Sequence, residues 1–453
     1  MAAERVNERY IVLEMLLELG EGVPSHIILD DTLYKYAYLE KRQRAFITRL
    51  FTGTIENRLF LDFVIGQFSH VKIKKIKPVV KEALRMAVYQ LFFMDRVPES
   101  AAVNESVKLV RKYGLNGLVP FANGILRNIV RNKDKIQYPD RKSEHDEYMS
   151  VMYSMPLWLV RHFNKEYGNS GDGIIEALSC GRPLYIRVNT GKIRPEELID
   201  KFLAQGIEAK ASPLRSDMLK IEGVDSLVFM PEFEEGLFTV QDVSSSLAVF
   251  FSGVKEGDKV IDLCAAPGGK TCDLAAIAGN SGRVLSFDIS EEKVRLIEEN
   301  VSRLGLENVD IAVNDATIFK EELMESADLV FCDLPCSGLG IMARKPDIKY
   351  NSSEEKIREL SLLQKKILDN AVKYVKFGGT LLFSTCTMTK AENEENFRYI
   401  SEKKGFSTYG FDNLLTDEFT REEKKEASGG YLRLIPGAHD TDGFFISRFK
   451  KYE

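Results

Sequence analysis

The sequence lacks the features that would direct it to a membrane or out of the cell. No uninterrupted apolar run approaches the roughly 20 residues that span a bilayer, and the opening stretch, MAAERVNERY, has no apolar signal-peptide core. Cysteine is scarce. Six in 453 residues do not make a disulfide framework, and no CxxC pair or neighbouring histidine marks a zinc site. The expectation is a cytoplasmic, monomeric protein with free thiols, no membrane partner and no metal. Internal repeats are absent. Positive charge is also short: 62 Lys and Arg against 68 Asp and Glu give a net charge of −6, which counts against a nucleic-acid binder. The distribution differs from the sum. Residues 70–135 hold 14 Lys and Arg against 5 Asp and Glu, an excess of +9. Such a segment is either a phosphate-binding face or a solvated helical surface.

What is present suffices for more than one core. A composition 44% hydrophobic and 29% charged is that of a globular protein, and the length implies two or three domains. Residues 1–135 read as helical. Val6, Tyr10, Leu13 and Leu17 share one face at helical spacing. Val79/Val80, Ala83/Leu84, Ala87/Val88 and Leu91/Phe92 repeat every four residues, and Pro78 suits the first turn of that helix. Val103, Val107 and Val110 mark another helix, and Phe121, Ile125 and Ile129 a last one. The polar, aperiodic residues 134–148 read as a linker, assigned to 136–150. A small α+β segment follows at 151–235, with strands at 184–190 and 218–221 and a helix at 194–205. Over 236–453 short apolar runs alternate with helical stretches, and strands are expected at 260–263, 284–288, 309–314, 329–333 and 380–385. That rhythm is an α/β, doubly wound, Rossmann-like sheet.

Asp262-Leu-Cys-Ala-Ala-Pro-Gly-Gly-Lys-Thr271 leaves the first of these strands and opens a helix. Gly268 and Gly269 let the backbone turn sharply near a ligand, and the helix N-terminus beyond favours negative charge. Asp288 ends the second strand, 20 residues after Gly268, where a carboxylate can accept ribose hydroxyls. Asp315 ends the third and could bond an adenine amino group. The loop is neither Gly-x-Gly-x-x-Gly nor a P-loop, so an adenosine with a neutral or cationic tail fits better than a pyrophosphate. Asp333-Leu-Pro-Cys336-Ser-Gly ends the fourth strand and Ser384-Thr-Cys386-Thr the fifth. Most cysteines are small buried hydrophobes, and Cys180, Cys264, Cys272 and Cys332 are read so. Cys336 and Cys386 lie on loops beside the crevice, where they could face each other.

These stretches resemble the RsmB/Sun family of ribosomal RNA cytosine-C5 methyltransferases, over nearly the whole chain. DLCAAPGGKT is similar to the family's cofactor motif, and DLPCSG and STCT to its motifs four and six. TVQDVSSSLA (239–248) resembles the lead into the fold and DGFFISRF (442–449) its closing strand. AAVNESVKLVRKYG with FANGILRNIVR resembles the NusB antitermination factor, an RNA-binding helical domain, and the middle segment is expected to be ferredoxin- or RRM-like. The departures, Leu334 where Ala is commoner and Thr387 where Ser is commoner, are conservative. The resemblance implies S-adenosylmethionine held by Cys264, Ala265, Ala266, Pro267, Gly268, Gly269, Lys270, Asp288, Asp315 and Asp333. It also implies a small-subunit ribosomal RNA partner, Cys386 as nucleophile and Cys336 as the residue that helps product release.

The chemistry explains why thiols and a carboxylate belong together. C5 of cytosine is too weak a nucleophile until a thiolate adds at C6 and gives it enamine character, and addition is helped by an acid at N3, a role for protonated Asp333. Ser384 and Thr387 are expected to steady the thiolate. Three competing readings keep parts of this pattern: a transfer RNA substrate, a non-catalytic RNA-binding assembly factor, and a small-molecule methyltransferase. The NusB-like segment argues against the first, the intact thiols and glycines against the second, and the size of the accessory segments against the third.

Overall fold

The four-residue periodicity after Pro78 becomes a 16-residue helix, Pro78–Phe93, with the proline in its first turn. Val80, Ala83, Leu84, Ala87 and Val88 are buried along it. Helices Glu8–Leu19, Lys41–Glu56, Arg58–Phe68, Glu99–Lys112 and Val119–Arg131 surround it. Gly53 allows the closest approach: a Cβ there would lie 2.0 Å from the Tyr89 ring. The Arg85 guanidinium is buried in this core, bonded to Asp62 (2.7 and 2.6 Å) and Glu82 (2.7 Å), so one member of the basic segment is internal. On the first helix the buried surface is wider than the expected stripe. Leu13 is enclosed with Val12, Met15 and Leu16, while Tyr10 and Leu17 sit at its border.

This computed structural model describes residues 6–224, 227 and 229–452, so residues 1–5 of the opening stretch lie outside the described residues. The chain forms two compact units, Met1–Cys180 with Arg344–Asn351, and Gly181–Ala343 with Ser352–Glu453. Residues 151–180 therefore pack with the helical unit rather than with the small mixed segment. A helix, His145–Met152, occupies the end of the stretch expected to be a linker. Its polar side chains find partners: His145 Nε2 lies 2.8 Å from Asp172, and Arg161 donates to Asp146 at 3.1 Å. Charge pairing leaves no apolar periodicity to read. The segment Arg344–Asn351 is anchored in this unit by Lys349 and Tyr350, which donate to the carbonyls of Glu56 (2.9 Å) and Ile55 (3.0 Å). Burial pulls the Lys349 amine down to about 8.

The second unit contains two sheets. In the smaller, β1 (Leu184–Val188), β2 (Glu208–Ala211), β3 (Met218–Glu222) and β4 (Phe238–Val240) pair antiparallel in the order β2-β3-β1-β4. Leu198 and Phe202 of helix Pro195–Ala204 cover Ile186, Val188, Leu219 and Phe238. The larger sheet comprises β5 (Lys259–Asp262), β6 (Arg283–Asp288), β7 (Val309–Val313), β8 (Ala327–Asp333), β9 (Val375–Thr385), β10 (Phe406–Thr408), β11 (Tyr431–Leu434) and β12 (Phe444–Lys451). Its order is β10-β12-β9-β8-β5-β6-β7, with β11 also on β12. β5 to β9 are parallel and β12 runs antiparallel to β9. The order reverses between β5 and β8, the switch point where such sheets bind ligands beyond their C-terminal ends. Arg215 ties the two sheets together, donating to Asp273 at 2.7 and 2.8 Å. Among the described residues no helix is long and apolar enough to cross a membrane.

Candidate active site

Parallel strands share a direction, so the carboxylates at their ends collect on one edge. β5 ends at Asp262 and turns into helix Gly269–Ala278. Gly268 in that turn has φ +101°, and a Cβ would fall 3.1 Å from Ile297 Cα; only glycine fits. Its N–H donates to Ala265 O at 2.7 Å. Asp288, buried at the end of β6, accepts the Ala266 N–H at 2.9 Å, which fastens the turn to the second strand, and pairs with Lys293 at 3.1 Å. Asp315 accepts the Thr317 hydroxyl (2.7 Å) and amide (2.9 Å), and these bonds hold its carboxyl below the usual range. Burial pushes the Asp262 carboxyl up to about 7. Asp262 Oδ1 and Asn314 Nδ2 are buried with no protein partner. A glycine-floored turn, strand-end carboxylates and unpartnered polar atoms on one edge fit an adenosyl group with ribose hydroxyls.

β8 and β9 bring the chemical residues together. Asp333 and Ser384 are paired neighbours across the two strands. The loops beyond them place Cys336 Sγ 3.3 Å from Cys386 Sγ. Lys270, from the helix after β5, reaches Asp333 Oδ2 at 2.7 Å, while the Ser384 hydroxyl donates to Asp333 Oδ1 at 2.7 Å. Burial opposes the Lys270 charge, but Asp333 and then Cys386 more than offset it and lift the amine above its usual value. The Cys336 thiol is pushed well up by its hydrogen bond with Cys386 and by burial. Burial also raises Cys264 and Cys332, and takes Cys272 to about 12. These are poor thiolates.

Three expectations need correction. Cys180 is exposed, not a core thiol; the end of a short helix gives it no apolar cover. The Ser384 hydroxyl goes to Asp333, and that of Thr387 meets Ser337 (2.6 Å) and Glu392 (3.3 Å), so neither proton serves the thiolate. Glu392 itself escaped sequence reading. It is buried and accepts the Ser337 amide (2.8 Å), the Ser337 hydroxyl (2.6 Å) and the Thr389 hydroxyl (2.7 Å). Its only sequence signal is its place six residues after Cys386.

The switch-point crevice and its strand-end carboxylates define an S-adenosylmethionine-dependent methyltransferase. Sequence profiles place it further: 16S rRNA methyltransferase RsmB/F matches residues 251–450, the NusB family 6–131, and the RsmF/B-like ferredoxin-like domain 155–225. The chain is 33% identical over 456 residues to the probable ribosomal RNA small subunit methyltransferase B of Bacillus subtilis (strain 168), covering 99% of each. The crystal structure of PH0851 superposes with TM-score 0.83 at 28% identity, covering 99% of this chain and 100% of that one. A methyltransferase homolog protein from Pyrococcus horikoshii gives 0.57 at 28% identity, over 68% and 99%. The chain belongs to the RsmB/F family of 16S rRNA methyltransferases.

Proposed function

We propose that this enzyme methylates C5 of a cytosine in small-subunit (16S) ribosomal RNA, before full assembly of the subunit, through a covalent bond between Cys386 Sγ and C6. The observation that carries this reading is the pair of thiols 3.3 Å apart beside the Lys270–Asp333 ion pair. S-adenosylmethionine, lined by Cys264, Ala265, Ala266, Pro267, Gly268, Gly269, Lys270, Asp288, Asp315 and Asp333, supplies an electrophilic methyl group. The protein's part begins with the Cys386 thiolate adding to C6. The S–C6 bond forms, the C5=C6 electrons move toward N3, and N3 takes a proton. Sequence reasoning gave that proton to Asp333. The 2.7 Å ion pair supports Lys270 as its bearer, with Asp333, itself held by the Ser384 hydroxyl, orienting the ammonium. Once C5 is substituted, a base removes its proton, the S–C6 bond breaks with Cys386 leaving as thiolate, and N3 returns its proton to Lys270. Cys336, 3.3 Å from Cys386, assists this release rather than attacking, the role the family resemblance implies.

Residues 1–135 and 151–235, of which 151–180 pack in the helical unit, are assigned to RNA binding, residues 136–150 to the connection and 236–453 to catalysis, in a cytoplasmic monomer. The test is a denaturing gel with labelled RNA and cofactor. Cys386→Ala should be inactive and form no adduct; Cys336→Ala should accumulate RNA-linked protein. A slow band in Cys386→Ala alone would reverse the roles, and two active mutants without adducts would remove both thiols from the chemistry.

A further inference from the structure

The residue after each reactive cysteine reaches the same carboxylate oxygen. Ser337 follows Cys336 and Thr387 follows Cys386. Their hydroxyls lie 2.6 Å apart, and both contact Glu392 Oε2, at 2.6 and 3.3 Å. Thr389 Oγ1 donates to the same oxygen at 2.7 Å. Oε1 accepts the Ser337 amide at 2.8 Å and Gln364 Nε2 at 3.2 Å; Gln364 also donates to Pro335 O at 2.8 Å. Gln364 is in turn oriented by Asn396, which donates to its Oε1 at 2.7 Å and to the Glu392 carbonyl at 2.9 Å. A second stitch joins the loops at Gly340, whose N–H donates to Cys386 O at 2.9 Å.

A charge removed from water is costly, and an apolar cluster would hold two loops together at less expense. What an apolar cluster cannot do is set register. Fixed acceptors at one carboxylate impose a specific position on each donor, and here the donors belong to the two loops that carry the thiols. We propose that Glu392 is a positioning residue that sets the separation and orientation of Cys336 and Cys386. The inference rests on reading those cysteines as the reactive pair. Glu392 holds the two loops through Ser337 and Thr387, and its charge also raises the Cys336 thiol directly. Its effect belongs to the steps that use both sulfurs, covalent addition and release, and not to cofactor binding at the β5–β6 end of the crevice.

The experiment compares wild type, Glu392→Gln and Glu392→Ala in the full chain. The first readout needs no RNA. Mild diamide oxidises a thiol pair only when the sulfurs can come within bonding distance: the two thiols lose two electrons and two protons to the azo bond, and mass spectrometry measures the Cys336–Cys386 disulfide. Melting temperature and S-adenosylmethionine affinity are recorded in parallel. Glu392→Ala should cross-link and form RNA adduct on the order of a hundredfold more slowly, the cost of about 1 Å of misplacement, with cofactor affinity unchanged. Glu392→Gln keeps the size and one acceptor, and should recover most of both rates. Wild-type cross-linking in Glu392→Ala would overturn the proposal. So would equal failure of both variants with loss of cofactor binding, since that marks a merely structural residue. If the thiols prove unreactive toward RNA, the cross-linking rates still report whether Glu392 sets their spacing, so the two failures are distinguishable.

Discussion

The Lys270 ammonium lies 2.7 Å from Asp333 Oδ2 and is coupled electrostatically to Cys386. One cation therefore faces both the carboxylate and the loop that carries Cys386. Lys270→Met should slow adduct formation by roughly a hundredfold, the contribution of one positioned proton donor, while Lys270→Arg keeps charge but not the point geometry and should recover only part. The fold raises this amine above 10.5, so the link's stability is fully present below that pH and is lost only as pH rises through the higher folded value. A wild-type rate that falls with a lysine-like titration between pH 7 and 9 would contradict this.

Asp262 should make stability depend on pH in the opposite range to an ordinary ion-paired carboxylate. Its reference value is 3.8 and burial takes it to about 7. The fold favours the protonated form, so the stabilisation is complete below 3.8 and is lost as pH rises through 7. Relative to Asp262→Asn, wild type should lose roughly 2–4 kcal/mol between pH 4 and 8. Urea unfolding of both proteins at several pH values measures it; parallel curves would mean that Asp262 does not titrate there.

Adjacent glycines in the cofactor turn should respond differently. Gly268 combines φ +101° with Ile297 Cα 3.1 Å from its would-be Cβ, whereas the nearest neighbour of a Cβ at Gly269 is 4.0 Å away. Gly268→Ala should cost roughly 1–3 kcal/mol in strain and weaken S-adenosylmethionine binding. Gly269→Ala, at the start of a helix, should be close to neutral in stability. Thermal melts and calorimetry on the two variants separate these outcomes.

The connection before the central helix offers four exposed lysines, Lys72, Lys74, Lys75 and Lys77, within six residues. If they meet phosphates, replacing all four by Gln should flatten the dependence of RNA affinity on salt by about 0.7 per lost contact in the log–log slope. Filter binding across a salt series tests this. An unchanged slope would assign these lysines to solvent.

Much of the architecture was legible because periodicity encodes burial. The stripe after Pro78 and the five parallel strands each carry their own pattern, and both are where expected. The misses share a cause. β2 is an exposed edge reading Glu-Ala-Lys-Ala, and β4 and β10 have three residues each, too few for a period to emerge. The helix at His145–Met152 fully buries Met149 alone and carries polar partners on its other faces, too narrow an apolar stripe for a period to emerge.

The sequence by itself determined which chemical groups stand at strand ends: the glycine turn, the carboxylates at 262, 288, 315 and 333, and two cysteines on loops. Each is a local fact, set by residue type and by position in a strand–turn–helix unit. Whether the cysteines meet was decided by the tertiary structure alone. β8 and β9 are neighbours with Asp333 beside Ser384, and that register carries the thiols to 3.3 Å. The same holds for Glu392, which in sequence stands among other acidic residues like any solvated helix start. It becomes a buried acceptor only because two loops, 55 and 5 residues away along the chain, bring their hydroxyls to it. Pairing across strands and burial of charge depend on neighbours distant in sequence, and no local pattern records them.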